Sequence, residues 1–313
     1  MRVLAVMANY DSLGLLPLHV RHQIDDLAAF CDRLVVVSTT EYADEADADW
    51  IRERATLVRR DNIGYDFYGW KTGLDLVGDE VADYDYVVTC NDSYVGPLRP
   101  FAEIFAEMED RPLDAWGFNH SLRRAPHIQS FFIAYRPWVV RSRAFRAFWD
   151  RMEPVSDRMQ VIGRYEIGLS AALRDAGFRL GAVLEEDAAD RRLARLRHWR
   201  WAVLRARRVA KGRRWRTLRR FATEPWNPNT ALADRVLPDA RLPVVKLDTL
   251  RFDPYQLGSD RLLRACEARW PERFAEVRAD LAARARDYRP RPGELDGPVV
   301  PAWPVRALMG YAR

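Results

Sequence analysis

The sequence predicts an α/β fold with a mostly parallel central sheet. Short runs rich in β-branched residues alternate with longer segments of helical periodicity through the first half of its 313 residues. That alternation is typical of β-α-β units, in which helices connect parallel strands. Hydrophobic residues make up 48% of the chain, which is enough for a sizeable core.

The predicted strands are short apolar runs that end at polar residues. In chain order they cover residues 2–7, 33–38, 55–59, 84–89, 115–118, 130–135 and 178–183. The run at 84–89 is suited to a central strand that is buried on both faces. The polar residues that follow it are therefore expected at the carboxyl end of a strand.

The predicted helices lie between these strands. They cover residues 15–30, 50–54, a segment that ends at Leu76, 142–152 and 156–176. Within the first helix, Leu16, Val20, Ile24 and Leu27 recur at helical spacing with polar residues between them.

Cysteine content and the N-terminus predict a protein of the reducing cytoplasm. Cys31, Cys90 and Cys266 are far apart and form no C-x-x-C pair, so neither a disulfide framework nor a zinc site is indicated. The first residues reach polar side chains too early for an export signal and fit a strand instead. No uninterrupted apolar stretch approaches the roughly 20 residues that a membrane span needs.

A first polar cluster follows the third predicted strand and contains Asn62, Gly64 and Asp66. In open α/β sheets, ligands bind beyond the carboxyl ends of the strands, where helix N-termini supply a positive dipole. We expect this cluster to hold a nucleobase and its ribose, with Asp66 accepting hydrogen bonds from hydroxyl groups. The alternative is a helix cap, a role that Asx residues often have.

A second cluster, Asn91, Asp92 and Ser93, follows the predicted central strand. Hard oxygen ligands beside a diphosphate are what Mg²⁺ or Mn²⁺ requires, so we expect the triplet to bind a diphosphate and Asp92 to bind a divalent metal. The alternative is an Asx-turn that leads into Gly96 and the proline after it.

Glu166 and Lys246 are the predicted residues for proton transfer and charge neutralisation. Glu166 lies in an apolar helical stretch, where partial desolvation raises the pKa of a carboxyl group and suits it to act as a general base. The alternative is a surface glutamate paired with Arg164. Lys246 closes a predicted apolar strand and is expected to neutralise a leaving diphosphate, or else to be solvated.

A third group is expected to line a sugar or acceptor pocket. It contains Trp116, His127, Gln129 and Ser130, around the loop between two predicted strands. For His127 the alternative is an ordinary surface histidine in a loop.

Six short pieces of the sequence together resemble the rhamnan synthesis protein F family, which is similar to glycosyltransferases of the GT-A fold. The pieces are Asn62-Ile-Gly-Tyr-Asp-Phe67 with Trp70, Asn91-Asp-Ser with Gly96-Pro97, Trp116-Gly117, His127-Ile-Gln-Ser-Phe-Phe132, Glu166-Ile-Gly-Leu-Ser170, and Asn227-Pro228 with residues 243–246. Their order along the chain also matches the family.

The resemblance implies a GT-A-like nucleotide-sugar-binding fold and an inverting sugar transfer. The sugar is typically L-rhamnose from dTDP-L-rhamnose, added to a lipid-linked or growing glycan such as O-antigen. The Asn91-Asp-Ser triplet takes the place of the D-x-D motif but offers one carboxylate instead of two. Two alternatives stay open: a non-catalytic scaffold for polysaccharide assembly, and a nucleotidyltransferase. The second usually has a Gly-rich phosphate loop, which residues 8–11 lack.

Four parts are predicted along the chain. They are a GT-A-like catalytic core at 1–187, a basic Trp/Arg-rich helical segment at 188–221, the C-terminal part of the core at 222–253, and C-terminal helices with a proline-rich tail at 254–313.

The basic segment has the most uneven charge in the sequence. Between Arg191 and Arg220 there are fourteen Lys or Arg and no Asp or Glu, although the whole chain has a net charge of only +5. Tryptophan and arginine together suit the surface of a membrane, so we expect peripheral contact with the inner membrane. The alternatives are helices that pack their tryptophans onto the core, and a nucleic-acid patch, which nothing else in the sequence favours.

Overall fold

The computed structural model describes residues 1–207, 209–287 and 310–311. Its strands are β1 (Val3–Asn9), β2 (Arg33–Ser38), β3 (Thr56–Arg59), β4 (Tyr86–Asn91), β5 (Tyr94–Val95), β6 (Ala115–Gly117), β7 (His120–Ser121), β8 (His127–Ile128), β9 (Phe132–Tyr135), β10 (Leu180–Ala182) and β11 (Val245–Lys246). Most of the predicted proline-rich tail lies outside the described residues.

Helices connect the strands and make up most of the C-terminal third. They are α1 (Leu18–Phe30), α2 (Glu45–Arg52), α3 (Tyr65–Val77), α4 (Phe101–Glu109), α5 (Pro137–Val140), α6 (Arg143–Asp150), α7 (Arg158–Gln160), α8 (Gly168–Asp175), α9 (Ala188–Arg207), α10 (Arg214–Thr223), α11 (Pro228–Ala231), α12 (Val236–Asp239), α13 (Leu247–Phe252), α14 (Ser259–Arg269), α15 (Pro271–Phe274) and α16 (Val277–Ala283). A π-helical segment covers Val161–Ile167, and 3-10 turns cover Gly78–Asp83, Lys211–Arg213 and Ala233–Arg235.

The central sheet has seven strands in the order β10-β6-β9-β4-β1-β2-β3. Its pairs are parallel except where β9 pairs antiparallel with β4 and with β6. Two small antiparallel pairs, β5 with β11 and β7 with β8, lie beside it. The predicted α/β class with a mostly parallel central sheet is therefore confirmed.

The core lies on both faces of this sheet because side chains of a strand alternate between them. Val3, Ala5 and Met7 of β1 pack on one face, and Leu4 and Val6 pack on the other. The first face is covered by α1, α4 and α9, and the second by α3, α6 and α8. A sheet covered on both faces explains why β1 is buried along its whole length.

Helix α3 lies unusually close to the sheet at Gly73. A Cβ atom built there would come 2.3 Å from Cγ1 of Val6 and 3.2 Å from Cγ2 of Val37. Only glycine fits this position without moving α3, so the first turn of the helix is held at a fixed height above the carboxyl ends of the strands.

The basic segment folds as two helices that pack on the first face. Helix α9 buries Ala194 and Trp201 in the core, and Trp201 meets Phe221 of α10 at a ring-centroid distance of 5.2 Å. Arg197 is buried and donates two hydrogen bonds of 2.8 Å to the carboxylate of Asp234. One side of α9 thus belongs to the core, as the packing alternative expected.

Among the helices of the described residues, none combines the length and apolar character that a membrane crossing requires. The division of the chain into four parts stays a prediction.

Candidate functional site

A cleft of about 510 Å³ opens at the carboxyl ends of β1 and β4. Seven of the predicted site residues line it, together with residues from α1, α7, α13 and α16. The seven are Asp66, Asn91, Asp92, Ser93, Ser130, Glu166 and Lys246. The structure therefore brings together side chains that are up to 180 positions apart in the sequence.

Asn91, the last residue of β4, connects the two predicted polar clusters. Its Nδ2 donates to Oδ2 of Asp66 (2.7 Å), and its Oδ1 accepts from the Oγ (2.7 Å) and the backbone N (3.1 Å) of Ser93. The side chain of Gln23 donates to its backbone oxygen (2.8 Å). Asn91 is buried and uses its polar groups within the protein, so it positions Asp66 and Ser93.

Asp92 is held by groups at the end of β1. Its Oδ2 accepts hydrogen bonds from Nδ2 of Asn9 (2.9 Å) and from the backbone N of Tyr10 (2.8 Å). Asn9 is in turn fixed through its Oδ1, which accepts from the hydroxyls of Ser38 (2.9 Å) and Tyr42 (3.0 Å). The second carboxylate oxygen of Asp92 accepts no hydrogen bond from the part of the chain that the structure describes.

The electrostatics of the cleft disfavour two neighbouring negative charges. The pKa of Asp92 is raised to about 7, first by burial and then by the nearby Asp66 carboxylate, and the hydrogen bonds from Tyr10 and Asn9 oppose the shift. Burial also raises the pKa of Asp66, against the hydrogen bond from Asn91 and the charge of Lys246. The pair is therefore suited to a ligand that brings hydrogen-bond donors or positive charge.

Glu166 lies in the π-helical segment and reaches the cleft from the second face of the sheet. Its Oε1 accepts from both the backbone N and the Oγ of Ser130, each at 3.0 Å. Among the described residues nothing donates to its Oε2, and Arg164 makes no ion pair with it. Departures from α-helical geometry often occur at functional sites because they redirect a side chain.

Lys246 reaches the cleft through the small sheet at its edge. Strand β11 pairs with β5, and the backbone N of Leu247 donates to the backbone oxygen of Ser93 (2.9 Å). The Nζ of Lys246 lies 4.8 Å from the centroid of the Phe131 ring. This pairing places a cation beside the Asn91-Asp92-Ser93 triplet.

Two residues of the first predicted cluster lie outside the cleft. Asn62 is exposed on the loop before α3. Gly64 immediately precedes α3 as its N-cap with a φ of 74°, and a Cβ there would come 2.6 Å from the Cβ of Tyr68. Gly64 thus serves a backbone conformation that other residues rarely adopt. No side chain caps this helix, so the Asx-cap alternative does not describe it.

Three residues predicted for a sugar or acceptor pocket also lie elsewhere. Trp116 is fully buried in the core among aromatic rings. His127 is buried, with its Nδ1 2.8 Å from the oxygen of Ala125. Gln129 is buried and its Oε1 accepts from Nδ2 of Asn119 (2.8 Å). Ser130 alone of the group lines the cleft.

Several residues that line the cleft were missed by the sequence analysis. They are Asn9, Tyr10, Asp11, His19, Arg158, Asp248, Arg251, Asp280 and Arg284. Asn9 ends β1, and Tyr10 and Asp11 follow it directly, so the rule that ligands bind beyond the ends of strands could have found them. The residues from α13 onward carry no comparable signal, because nothing local shows that these helices return to the cleft.

The described residues contain no group of three or more His, Cys, Asp and Glu arranged to hold a metal ion. Mg²⁺, however, often binds through one or two carboxylates and takes its other ligands from water and substrate phosphates. The unpartnered oxygen of Asp92 fits this second arrangement.

Comparison with known proteins identifies one family whose model matches this chain and one relative of similar sequence. The model of the family described as "Rhamnan synthesis protein F" matches residues 34–206, more than half of the chain. An uncharacterized protein, y4gN, of Sinorhizobium fredii (strain NBRC 101917 / NGR234) is 26% identical over 185 residues. The match covers 58% of this chain and 48% of y4gN, so the chain spans about half the length of that curated relative.

Solved structures with a similar chain path include two kinds of enzyme. One is a 4-diphosphocytidyl-2C-methyl-D-erythritol synthase from Anaerococcus prevotii (12% identity, TM-score 0.34, 58% of this chain and 86% of that chain). Another is the glucosyl-3-phosphoglycerate synthase of Mycobacterium tuberculosis in complex with Mn²⁺, UDP and phosphoglyceric acid (13% identity, TM-score 0.32, 72% and 80%).

Proposed function

Because the chain belongs to the rhamnan synthesis protein F family, we propose that it is a glycosyltransferase of polysaccharide synthesis that uses a nucleotide diphosphate sugar. The donor we propose is dTDP-L-rhamnose, and the acceptor is a lipid-linked or growing glycan of O-antigen or another surface polysaccharide. The choice of sugar rests on the family, and the residues proposed for the reaction are those that line the cleft.

The observation that carries the proposal is the single cleft that joins Asp66, Asp92, Glu166 and Lys246. A nucleotide sugar has a polar base and ribose, a doubly charged diphosphate and a reactive anomeric carbon. We assign the ribose to Asp66, the diphosphate to the Asp92 and Ser93 region with Lys246, and the acceptor hydroxyl to Glu166.

In this assignment Glu166 is the general base of an inverting transfer. Ser130 holds Oε1, which leaves Oε2 to take the proton of the acceptor hydroxyl. The resulting oxygen attacks the anomeric carbon from the face opposite the diphosphate, the new glycosidic bond forms, and the bond to the phosphate oxygen breaks. One base is enough because the nucleotide diphosphate leaves as an anion.

We assign the stabilisation of the leaving diphosphate to two cations. Lys246 lies beside the triplet, and Arg158 at the start of α7 lines the same cleft. Positive charge near a leaving anion lowers the barrier most when it acts in the transition state.

We also propose that Asp92 binds a divalent metal through its unpartnered oxygen. When bound, Mg²⁺ or Mn²⁺ would offset negative charge on the diphosphate. A chelator such as EDTA is then expected to abolish transfer, and Asp92→Asn to weaken donor binding at least about tenfold, since a charged ligand is lost. Titration calorimetry with and without Mn²⁺ measures this. Full turnover in EDTA would leave Asp92 as a direct hydrogen-bond acceptor.

The proposed place of action is the cytoplasmic side of the inner membrane. A lipid-linked acceptor lies at that surface, and the basic segment 191–220 would provide peripheral contact there. No nucleic-acid partner is proposed.

The direct test is turnover by the purified protein with a panel of nucleotide diphosphate sugars. We expect one donor to raise the melting temperature by linkage and to release nucleotide diphosphate when acceptor is added. Glu166→Gln is expected to lower kcat by a factor of about 100 or more while donor affinity persists, because only the transition state uses the base. Glu103→Gln, an exposed glutamate on α4, is the control.

Three other outcomes would contradict the proposal or one of its assignments. A scaffold would release no nucleotide diphosphate with any donor. A nucleotidyltransferase would instead form pyrophosphate from a nucleoside triphosphate and a sugar phosphate. Unchanged turnover in Glu166→Gln would remove the assignment of the base.

A further inference from the structure

The surface of α9, α10 and the 3-10 turn between them carries basic side chains that have no partner in the described part of the chain. Elsewhere many exposed arginines are paired: Arg278 of α16 binds Asp260 and Glu267, for example. In the basic segment, seven exposed cations make no side-chain hydrogen bond or ion pair with the described residues. They are Arg192, Arg195, Arg207, Lys211, Arg213, Arg216 and Arg219. We call this set the cationic face.

Large apolar side chains are exposed among these cations. Trp215 is 75% exposed, Trp199 50% and Leu196 44%. Tryptophan and leucine side chains are usually buried in the interior of a soluble protein, because exposing them to water gives up the free energy of burial. Their exposure on two neighbouring helices therefore points to a partner that is both apolar and anionic.

The exposed residues of α9 form a stripe along one side of the helix. Leu196 lies four positions after Arg192 and Trp199 lies four positions after Arg195, so the four side chains share one side of the helix. The opposite side carries the residues that enter the core, such as Trp201. The stripe is therefore free of the contacts that hold α9 in place.

Buried residues of α9 contact the rest of the protein without using the side chains of the cationic face. Arg197 is buried against Asp234, and His198 lies within hydrogen-bond distance of both Tyr255 (2.9 Å) and the oxygen of Phe221 (2.8 Å). Packing alone thus explains the buried half of the segment. It leaves the seven cations and the exposed tryptophans unexplained.

We propose that the cationic face docks on an anionic lipid bilayer, with Trp199, Trp215 and Leu196 inserted at the level of the headgroups. Arginine and lysine are attracted to anionic headgroups, and indole rings prefer the boundary between headgroups and acyl chains. Nucleic acid would satisfy the charge, but Leu196 has no role in stacking on bases. The inference deepens the proposed function, because it names the surface that brings the cleft to a lipid-linked acceptor.

The charge contribution is tested by vesicle co-sedimentation with a matched control. Arg213→Glu/Arg216→Glu reverses two cations of the face. Arg143→Glu/Arg146→Glu reverses two exposed arginines with the same spacing on α6, which packs on the opposite face of the sheet. With vesicles of phosphatidylglycerol and phosphatidylethanolamine, we expect the first variant to bind at least about tenfold more weakly than the natural protein. The control is expected to change binding less than about twofold, because its charges face away.

The apolar contribution is tested by fluorescence quenching with brominated phosphatidylglycerol. Quenching is expected in the natural protein and is expected to fall in Trp199→Ser/Trp215→Ser. Neither side chain belongs to the hydrophobic core, so the helices are expected to persist in the variant. Circular dichroism of each variant confirms that the helices are retained.

Three results would overturn the proposal. Equal binding to anionic and purely phosphatidylcholine vesicles would remove the charge argument, and equal losses in the two Arg→Glu pairs would remove the specificity for this face. Tighter binding of a single-stranded oligonucleotide than of anionic vesicles would identify nucleic acid as the partner instead.

Donor turnover by the natural protein without vesicles is measured in parallel. Turnover without vesicle binding would reject only the docking surface, and vesicle binding without turnover would reject only the proposed enzyme.

Discussion

Asn91 illustrates how a single residue can be found by its position and yet act differently from expectation. The sequence predicted Asn91 as a donor-binding residue because it follows a central strand. In the structure its amide joins Asp66 to Ser93, so within the protein it fixes the geometry of its neighbours. Ser130 was likewise expected in a sugar or acceptor pocket, and its two hydrogen bonds go to Glu166.

Ser130 is therefore predicted to be a positioning residue for Glu166. Ser130→Ala removes the hydroxyl donor and keeps the backbone donor, so we expect kcat to fall about tenfold, as the loss of one hydrogen bond to a charged group implies. The KM for the donor is expected to stay unchanged. Steady-state kinetics measure both quantities, and Ser130→Thr should restore most of the rate because it keeps a hydroxyl.

Two further variants decide whether Ser130 acts through Glu166. In the Glu166→Gln background, Ser130→Ala is expected to cause little additional loss, since the base is already absent. Ser121→Ala, at a buried serine outside the cleft, controls for general effects of losing a hydroxyl. A full tenfold loss in both backgrounds would show that Ser130 does not act through Glu166.

At the scale of elements, the basic segment combines a core helix with an exposed surface. The sequence predicted helical structure from 188 to 221, and the structure divides it into α9 and α10 with a 3-10 turn at Lys211–Arg213. His198 of α9 contacts two residues through its ring nitrogens. Its Nε2 lies within hydrogen-bond distance of the backbone oxygen of Phe221 in α10, and its Nδ1 lies within hydrogen-bond distance of the hydroxyl of Tyr255, which follows α13. With Nε2–H donating to Phe221 and Nδ1 accepting from the Tyr255 hydroxyl, the neutral ring satisfies both contacts.

Stability of this helix pair is predicted to fall in acid through His198. Burial lowers its pKa from the ordinary 6.5, so the unfolded chain takes up a proton at a higher pH than the folded one. The free energy of unfolding therefore decreases as the pH falls from 6.5 through the lowered pKa, by at most about 1.4 kcal/mol per pH unit for one proton. Urea denaturation of the natural protein and His198→Gln between pH 7 and 5 measures the difference.

His120→Gln provides the matched control, since His120 is only partly buried. We expect its pH dependence to follow that of the natural protein, while His198→Gln should show a shallower decline. Parallel curves for the natural protein and His198→Gln would show that His198 does not contribute.

At the scale of the whole molecule, the C-terminal helices complete the cleft that the first half of the chain begins. Arg284, just after α16, donates from Nε to Oδ2 of Asp11 at 2.5 Å, and both side chains are buried. Arg273 of α15 pairs with Asp26 of α1. These contacts join residues about 250 or more positions apart and fix one wall of the site.

The Arg284 pair is predicted to contribute much more to stability than the exposed ion pairs of Arg278 on the adjoining helix α16. Arg284→Met leaves the carboxylate of Asp11 buried without its cation, which is expected to cost about 3–5 kcal/mol of unfolding free energy. Arg278→Met removes the two exposed ion pairs with Asp260 and Glu267 and should cost less than about 1 kcal/mol. Equilibrium denaturation in urea measures both, and equal costs would contradict the prediction.

Much of the fold could be predicted because its signals are local. Strand β2 has the predicted bounds, and α1 ends at the predicted residue, since apolar runs and helical spacing are read within one element. Helix α4 at Phe101–Glu109 was not predicted, and the short strands β7 and β8 were not resolved within their loop. Membership of the rhamnan synthesis protein F family, inferred from six short motifs, is confirmed.

The sequence by itself determined the α/β class and the position of Asp66 and Asp92 beyond strand ends, because hydrophobic periodicity and chain direction fix both within a β-α-β unit. Only the tertiary structure decided which side chains share the cleft. Trp116 is drawn into the core by aromatic packing, whereas Asp11 meets Arg284 across 273 positions. Such contacts depend on strand order and helix packing, which no local pattern of residues records.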